Sequence, residues 1–180
     1  MNISLETERL LLRKLELNDA DRVEELASDY ELAKTTLNVP HPYPPGSAGD
    51  FIQSMWKAEE RGMVVFAIVE KESDSLIGII NIKQTLAYKR GELGYWVGRP
   101  YWGKGYGTES AREVVAYGFE ELGLNKVFAG AFTDNPGSWR IMEKVGMKHE
   151  GTWRQHAMRD GRFVDLVYYG VLREEFERER

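Results

Sequence analysis

The spacing of hydrophobic positions divides the chain into strands and helices. Apolar residues recur three and four positions apart over residues 18–30 and 50–61, which predicts two helices. A third, short helix is predicted over residues 136–144. Apolar runs bounded by turn residues predict strands over residues 9–15, 63–69, 76–82, 126–133, 148–158 and 162–171. The pair Asp160-Gly161 suits a type I′ turn, so the last two strands are predicted to form a hairpin.

Two segments lack a regular pattern. Residues 35–49 hold four prolines and two glycines, which predicts an irregular loop. This loop is interpreted either as a functional loop near a substrate or as a plain connection. Residues 173–180 are predicted to be a solvated helix end or tail.

One stretch in the middle of the chain combines a strand, a glycine-rich loop and a helix. Residues 93–97 are apolar and β-prone, Gly103, Gly105 and Gly107 follow at every second position, and a helical spacing begins at Thr108. Because glycines carry no side chains, the N–H groups of such a loop can converge on an anionic oxygen beside the positive end of the helix dipole. The loop is therefore interpreted as a phosphate or pyrophosphate site, or else as a tight turn only.

Two common nucleotide motifs fit this loop incompletely. Residues 98–104 match the start of GxxxxGK[ST], but Gly105 stands at the next position and provides no hydroxyl for Mg²⁺. The fingerprint GxGxxG also fails, because Thr108 stands where its last glycine belongs. A Mg²⁺-dependent NTPase is therefore disfavoured, although Lys104 adds a cation at the rim of the loop.

The loop resembles motif A of the GNAT superfamily of acetyl-CoA-dependent N-acetyltransferases, which reads (Gln/Arg)-x-x-Gly-x-(Gly/Ala). Gly105 and Gly107 fill the two small positions, and Trp102 departs from the pattern at the Gln/Arg position. The variant YWGKGYGTE, preceded by ELGYWV, resembles the RimJ/RimL branch, which acetylates protein N-termini and related amines. Residues 135–147 resemble the second signature of the family, and residues 6–13 resemble the opening of that branch.

The resemblance implies a single N-acetyltransferase domain over residues 1–180 with an α/β fold. The predicted order β-α-α-β-β-β-α-β-α-β-β is similar to the GNAT fold, a mixed, largely antiparallel sheet flanked by helices. In that fold the motif strand and the next strand splay apart, and the pantetheine arm of the cofactor enters between them.

Acetyl-CoA is the cosubstrate that the resemblance implies, and no metal is implied. The backbone of Trp96 and Val97 would bind the pantetheine. Asn135 would contact the arm near the sulfur, or would only cap the helix that begins at Pro136. Trp102 would stack on the cofactor or close the loop. The pyrophosphate would bind the main chain of Gly103, Lys104, Gly105, Tyr106, Gly107 and Thr108.

Acetyl transfer needs a base that deprotonates the amine and an acid or another route for the leaving thiolate. Glu92, which begins the motif strand, is the first candidate for the base, with Glu150 and His156 in reserve. Met142 occupies the position at which many members of the superfamily carry an acidic tyrosine. Ser138 is therefore the candidate acid, as in the RimL-like branch. The alternatives are that Glu92 is only a solvated carboxylate and Ser138 only a helix-terminus residue.

Composition narrows the range of partners. A formal charge of −5 argues against nucleic-acid binding and mildly favours a cationic amine substrate. The absence of cysteine excludes disulfides, cysteine nucleophiles and thiolate metal sites, and three histidines do not make a zinc site. No apolar run approaches the roughly 18 residues of a membrane span, and no signal peptide is recognised, so a cytoplasmic protein is expected.

Together these inferences predict acetyl-CoA-dependent acetylation of a primary amine, with a protein N-terminal amine as the expected acceptor. A small-molecule amine, such as a polyamine, an aminoglycoside or an amino-acid analogue, is the alternative within the same chemistry. A CoA-binding module without turnover is the alternative from another class, and Met142 favours it. A homodimer is a further expectation.

Overall fold

A mixed sheet runs through the molecule and carries helices on both of its faces. The computed structural model describes residues 3–178. Within this range the strands are β1 (Leu5–Glu6), β2 (Leu10–Arg13), β3 (Met63–Glu70), β4 (Ser75–Thr85), β5 (Arg90–Val97), β6 (Lys126–Phe132), β7 (Lys148–Arg159) and β8 (Arg162–Leu172). The α-helices are α1 (Ala20–Ala27), α2 (Tyr30–Ala33), α3 (Ala48–Glu59), α4 (Tyr106–Glu120), α5 (Pro136–Lys144) and α6 (Arg173–Arg178).

The sheet order is β1-β2-β3-β4-β5-β6-β8-β7. Every neighbouring pair is antiparallel except β5 and β6, which are parallel. This arrangement confirms the predicted mixed, largely antiparallel sheet of the GNAT fold. The additional elements β1 and α2 span only two and four residues, too few to show a hydrophobic period. Asp160 and Gly161 have φ values of +50° and +73°, as the predicted type I′ turn requires.

Two hydrophobic cores lie on opposite faces of the sheet. Successive side chains of a strand point to opposite faces, so β4 contributes Ile80 and Ile82 to the core beneath α4 and Ile79 to the core beneath α1 and α3. This burial on both sides explains why the β4 sequence is an almost continuous apolar run rather than an alternating one.

Strands β5 and β6 pair only at their first residues and then separate. Their register covers Arg90 to Glu92 on β5, while β6 continues to pair with β8 as far as Phe132. The antiparallel pairing of β4 and β5 fixes which backbone groups face the resulting gap. The Gly98 N–H donates to the Ile77 carbonyl oxygen at 2.8 Å, in register with the strand pair.

Alternate residues along β5 therefore point their N–H and C=O groups in opposite directions. Trp96, two residues before Gly98, directs its backbone groups toward β4, where it pairs with Ile79. Tyr95 and Val97 direct theirs into the gap. Of the two residues predicted to hold the pantetheine by their backbone, Val97 therefore faces the gap and Trp96 faces β4.

Residues 173–180 were predicted to be a solvated helix end or tail, and the described part forms the helix α6, which is partly covered rather than fully solvated. Helix α6 packs against the end of α4, with the rings of Phe176 and Phe119 4.8 Å apart. Arg173 Nε donates to the Leu124 carbonyl oxygen at 3.0 Å. The aromatic contact, together with the hydrogen bonds from the guanidinium to main-chain carbonyls, fixes this segment against the C-terminal end of α4. Glu179 and Arg180, the last residues of the predicted tail, lie outside the described residues.

Candidate active site

The glycine-rich loop between β5 and α4 forms the N-terminal end of a fifteen-residue helix. Gly105 is the residue that precedes this helix and has a φ of +84°, a conformation that favours glycine. Gly107 permits close helix packing, because a Cβ there would lie 2.7 Å from Cδ1 of Ile141 on α5. Trp102 Nε1 donates to the Val97 carbonyl oxygen at 2.6 Å. This hydrogen bond closes the loop, as one of the two predicted roles of Trp102 requires, and Trp102 also lines the groove described below.

Arg9 binds the main chain of this loop and packs against its tyrosine. Its Nη1 donates to the Lys104 carbonyl oxygen at 2.9 Å, and its guanidinium lies 4.4 Å from the centre of the Tyr106 ring. Its Nε donates to Glu109 Oε2 at 2.7 Å, and the Thr7 hydroxyl donates to the other carboxylate oxygen at 2.6 Å. Burial would raise the pKa of Glu109, but the hydrogen bonds from Thr7 and Arg9 outweigh it and hold that pKa below its usual value.

A groove of about 520 Å³ extends from the loop along β5 to α5. Two cations of α5, Arg140 and Lys144, line it, and no carboxylate does so among its described lining residues. Lys104 does not line the groove, and its Nζ lies 5.4 Å from the ring of Tyr101. The other predicted cofactor residues all line it: Trp96, Val97, Trp102, Gly103, Gly105, Tyr106, Gly107, Thr108 and Asn135.

Arg140 and Lys144 are site residues that the sequence reasoning missed. They stand four positions apart on α5, which places both side chains on one face of that helix. This spacing, next to a glycine-rich loop suited to phosphate, is the signal that could have identified them. A groove lined by two cations and by main-chain N–H groups at a helix N-terminus suits a ligand with phosphate groups.

A second cavity of about 610 Å³ lies on the other face of the sheet, beneath α1 and α3. Much of its outer wall comes from the proline-rich segment, including Leu37, Val39 and Tyr43. The segment therefore lies where the functional-loop interpretation requires it. The two cavities share a set of lining residues that form the junction between them: Thr35, Thr36, Tyr95, Trp96 and Ser138.

Tyr95 and Ser138 meet at this junction. The Tyr95 hydroxyl donates to the Ser138 carbonyl oxygen at 2.9 Å and lies 3.1 Å from Ser138 Oγ. Burial raises the pKa of Tyr95 to about 12, although its hydrogen bond with Ser138 acts in the opposite direction. The phenol therefore stays protonated at neutral pH and can donate a hydrogen bond. Met142, at the usual tyrosine position, is buried in the core and offers no hydroxyl.

Asn135 serves as a cap and also lines the groove. Its Oδ1 accepts a hydrogen bond from the Ser138 N–H at 3.3 Å, and its Nδ2 donates to the Thr35 carbonyl oxygen at 3.3 Å. The capping alternative considered for this residue is therefore present in the structure. The same contacts fix the start of α5, and with it the position of the Ser138 side chain.

Glu92 is the carboxylate that lines the larger cavity. It is exposed, and it stands directly opposite Lys83 in the register of β4 and β5. Burial raises the pKa of Tyr168, and the charge of Glu92 raises it further, which places the two side chains near one another.

The two reserve candidates for the base lie outside the lining of both cavities. Glu150 accepts a hydrogen bond from Lys126 Nζ at 2.6 Å, and the ring of His156 lies 4.5 Å from that of Trp153. Their side chains therefore have partners on the sheet edge, away from the junction at Ser138. Glu92 is the better placed of the three.

Two kinds of feature are absent from residues 3–178. This part of the chain contains no cluster of three or more histidine, cysteine, aspartate or glutamate side chains arranged to hold a metal ion. It also contains no helix that is long and apolar enough to cross a membrane.

The family model of the acetyltransferase (GNAT) domain matches residues 9–148 of the chain. This match covers most of the sequence and includes the glycine-rich loop, β5 and α5. The chain belongs to the GNAT acetyltransferase family and is an N-acetyltransferase.

Individual relatives agree with this assignment over nearly the whole chain. The uncharacterized N-acetyltransferase p20 of Bacillus licheniformis is 33% identical over 175 residues, covering 96% of this chain and 98% of the relative. A candidate ribosomal N-acetyltransferase of Bacillus subtilis, YdaF, is 30% identical over 178 residues, covering 96% of each chain. The crystal structure of a GNAT-family acetyltransferase from Bacillus anthracis superposes with a TM-score of 0.86 at 28% identity, covering 96% of this chain and 99% of that one.

Proposed function

We propose that the chain transfers the acetyl group of acetyl-CoA to a protein N-terminal amine. The groove of about 520 Å³ would hold the coenzyme, with its diphosphate at the N–H groups of residues 103–108. Arg140 and Lys144 would neutralise phosphate charge. The pantetheine amides would lie along the unpaired edge of β5, where the backbone groups of Tyr95 and Val97 face the gap.

The acceptor amine would occupy the larger cavity and approach the thioester at the junction. Glu92 would take a proton from the ammonium, directly or through a water, which frees the nitrogen lone pair. The nitrogen would then attack the acetyl carbonyl carbon, and the carbon–sulfur bond would break. Ser138, supported by the neutral Tyr95 hydroxyl, would pass a proton to the departing thiolate and take up the second proton of the nitrogen, directly or through a water, so that the amide is neutral and the serine hydroxyl is restored.

A single observation carries this proposal: two cavities of different character meet at one pair of hydroxyl groups. The groove is cationic, as a coenzyme with phosphates requires, while Glu92 is the carboxylate of the larger cavity. Tyr95 and Ser138 line both cavities. A reaction between a thioester in one and an amine in the other would take place beside these hydroxyls.

A relative and the loop sequence support a protein N-terminus as the acceptor, and the supply of acetyl-CoA supports a cytoplasmic location. The relative YdaF is described as a candidate ribosomal N-acetyltransferase, which favours a protein N-terminus over other amines. The loop sequence YWGKGYGTE agrees with that branch of the family. The supply of acetyl-CoA favours the cytoplasm as the place of action.

The test is release of the CoA thiol from acetyl-CoA in the presence of short peptides with free or blocked N-termini. Thiol release with the free peptides, and an added acetyl group at the α-amine by mass spectrometry, is the expected result. Equal release with blocked peptides that carry only lysine amines would refute an N-terminal acceptor. Binding of acetyl-CoA without thiol release on any amine would instead identify a non-catalytic CoA-binding module.

A further inference from the structure

The lining of the larger cavity constrains the chemical class of the acceptor. Charge is the first constraint. Among the described residues that line this cavity, Lys83 and Glu92 are the charged ones, and they carry opposite signs. They are direct partners across β4 and β5, so their Cβ atoms are about 5 Å apart.

A polycationic acceptor does not suit this arrangement. Glu92 can balance the ammonium that reacts, but a second ammonium close to it meets Lys83, and a like charge repels it. Recognition of a polyamine or an aminoglycoside needs several carboxylates distributed along the molecule. The lining of this cavity offers one.

Shape and polarity are the second constraint. Phe51 and Met55 stand one turn apart on α3 and face the cavity, and Met63 of β3 lies on the same side. These three side chains are only half-buried, because their remaining surface faces the cavity rather than the core.

The remaining walls are mostly apolar, and Asn38, Ser47 and Asn81 add polar groups to them. Phe132 of β6 and Leu166 of β8 line one side, and Leu37, Val39 and Tyr43 line the side formed by the proline-rich segment. Burial raises the pKa of Tyr43, so its phenol stays neutral in this wall. A largely apolar chamber with one carboxylate suits an ammonium attached to a bulky apolar group.

We propose that the acceptor is a monocationic α-amine whose neighbouring side chain is large and apolar, such as methionine, leucine or phenylalanine at a peptide N-terminus. This inference rests on the proposed N-acetyltransferase function and specifies its substrate. The same chemistry occurs in free apolar amino acids, whose carboxylate Lys83 can attract. Polyamines, aminoglycosides and peptides that begin with alanine or serine are poor acceptors.

The test compares peptides that differ only in their first residue, together with the free amino acids and spermidine. One methylene in an apolar pocket changes kcat/KM by about 10- to 200-fold. Peptides that begin with methionine, leucine or phenylalanine are therefore expected to react at least about tenfold faster than those that begin with alanine or serine. Spermidine is expected to react more slowly still.

The outcomes separate the inference from the function on which it rests. A preference for alanine, serine or spermidine overturns the inference and leaves acetyl transfer intact. Reaction with free apolar amino acids but not with peptides supports the inference and overturns the protein N-terminal acceptor. Binding of acetyl-CoA with no acetylation of any amine overturns both.

Two variants test the residues that carry the argument. Met55→Glu places a second carboxylate in the wall and is expected to lower kcat/KM for the methionine peptide at least about tenfold while raising it for spermidine. Met158→Glu is the matched control, because Met158 is exposed on β7 and does not line the cavity. Lys83→Gln, at an exposed position that tolerates substitution, is expected to raise kcat/KM for spermidine about threefold or more. No change for spermidine in either variant contradicts the charge argument.

Discussion

The Tyr95 hydroxyl donates to the Ser138 carbonyl oxygen at 2.9 Å and lies 3.1 Å from Ser138 Oγ, across 43 positions of sequence. One hydroxyl comes from β5 and the other from the first turn of α5. Tyr95 is held by the pairing of β5 with β4, and Ser138 is held by the first turn of α5, which Asn135 caps. In the proposed mechanism this pair would provide the proton, because Met142 is buried and has no hydroxyl.

Removal of either hydroxyl is expected to slow catalysis more than it weakens binding. Ser138→Ala should lower kcat by about 10²-fold, as expected for loss of a general acid, and Tyr95→Phe by about tenfold. The KM for acetyl-CoA should stay within about twofold. The double variant should be no slower than Ser138→Ala alone, because residues that act as a unit give non-additive losses.

Tyr169→Phe is the control for the loss of a tyrosine hydroxyl. Its hydroxyl contacts Glu143 at 3.4 Å, and Tyr169 lines neither cavity. It should keep wild-type kcat. Wild-type kcat in Tyr95→Phe, with normal folding by circular dichroism, would show that this hydroxyl takes no part in the reaction.

Arg9 is expected to act on the cofactor without touching it. Its guanidinium holds the Lys104 carbonyl and Glu109 and packs on Tyr106, so it fixes the loop in the conformation that points N–H groups into the groove. Arg9→Met should raise the Kd for acetyl-CoA about tenfold, measured by calorimetry, and leave kcat at saturation nearly unchanged. Arg9→Lys should give an intermediate Kd, because a lysine keeps the charge and loses the bidentate geometry.

Lys148→Met is the matched control for the loss of a surface cation, since Lys148 pairs with Glu175 at 2.5 Å far from the loop in sequence. It should leave the Kd for acetyl-CoA unchanged. A fall in kcat at saturating acetyl-CoA in Arg9→Met would contradict a purely positioning role for Arg9.

Glu92→Gln is expected to change the pH dependence of the reaction. If Glu92 removes the proton, kcat/KM should fall most strongly near pH 7, where an α-amine with a pKa of about 8 is largely protonated. The difference from wild type should shrink as the pH rises and the free amine predominates. Glu150→Gln, which changes a carboxylate outside both cavities, should keep the wild-type profile. If Glu150→Gln changes the pH dependence of kcat/KM and Glu92→Gln does not, Glu150 is the base.

Arg140 and Lys144 are expected to contribute to coenzyme affinity through charge. Each substitution to glutamine should raise the Kd for CoA about threefold to tenfold, and the salt dependence of binding should become shallower. Arg154→Gln is the control, because Arg154 lies on the exposed strand β7 and lines neither cavity. An unchanged Kd in both groove variants would place the phosphates elsewhere.

The sequence predicted the sheet and its main helices because their signals are local. The apolar run of β5, the helical spacing of α4 and the Asp160-Gly161 turn each depend on residues that are close in sequence. The first predicted helix differs from the structure, where Asp29 accepts a hydrogen bond from the Glu31 N–H and starts the separate helix α2. An internal cap of this kind does not interrupt the hydrophobic spacing enough to be seen.

The contacts around the candidate site were not predictable in the same way. Arg9 lies 95 positions from Lys104, and Tyr95 lies 43 positions from Ser138, so each partnership exists only once the sheet has assembled. The loop sequence indicated Lys104 as the cation at the rim, but its Nζ lies 5.4 Å from the ring of Tyr101 while cations from α5 line the groove. The suitability of the loop for phosphate was therefore predictable from its glycines. The cations that line the groove were not, because they come from α5 and reach the loop only through helix packing.

The most direct test of the account is a crystal structure of the protein with bound CoA. We expect the diphosphate at the N–H groups of residues 103–108, phosphate oxygens near Arg140 and Lys144, and the thiol within about 4 Å of Ser138 Oγ or the Tyr95 hydroxyl. A coenzyme bound outside the groove, or one whose thiol points away from the junction of the two cavities, would contradict the account.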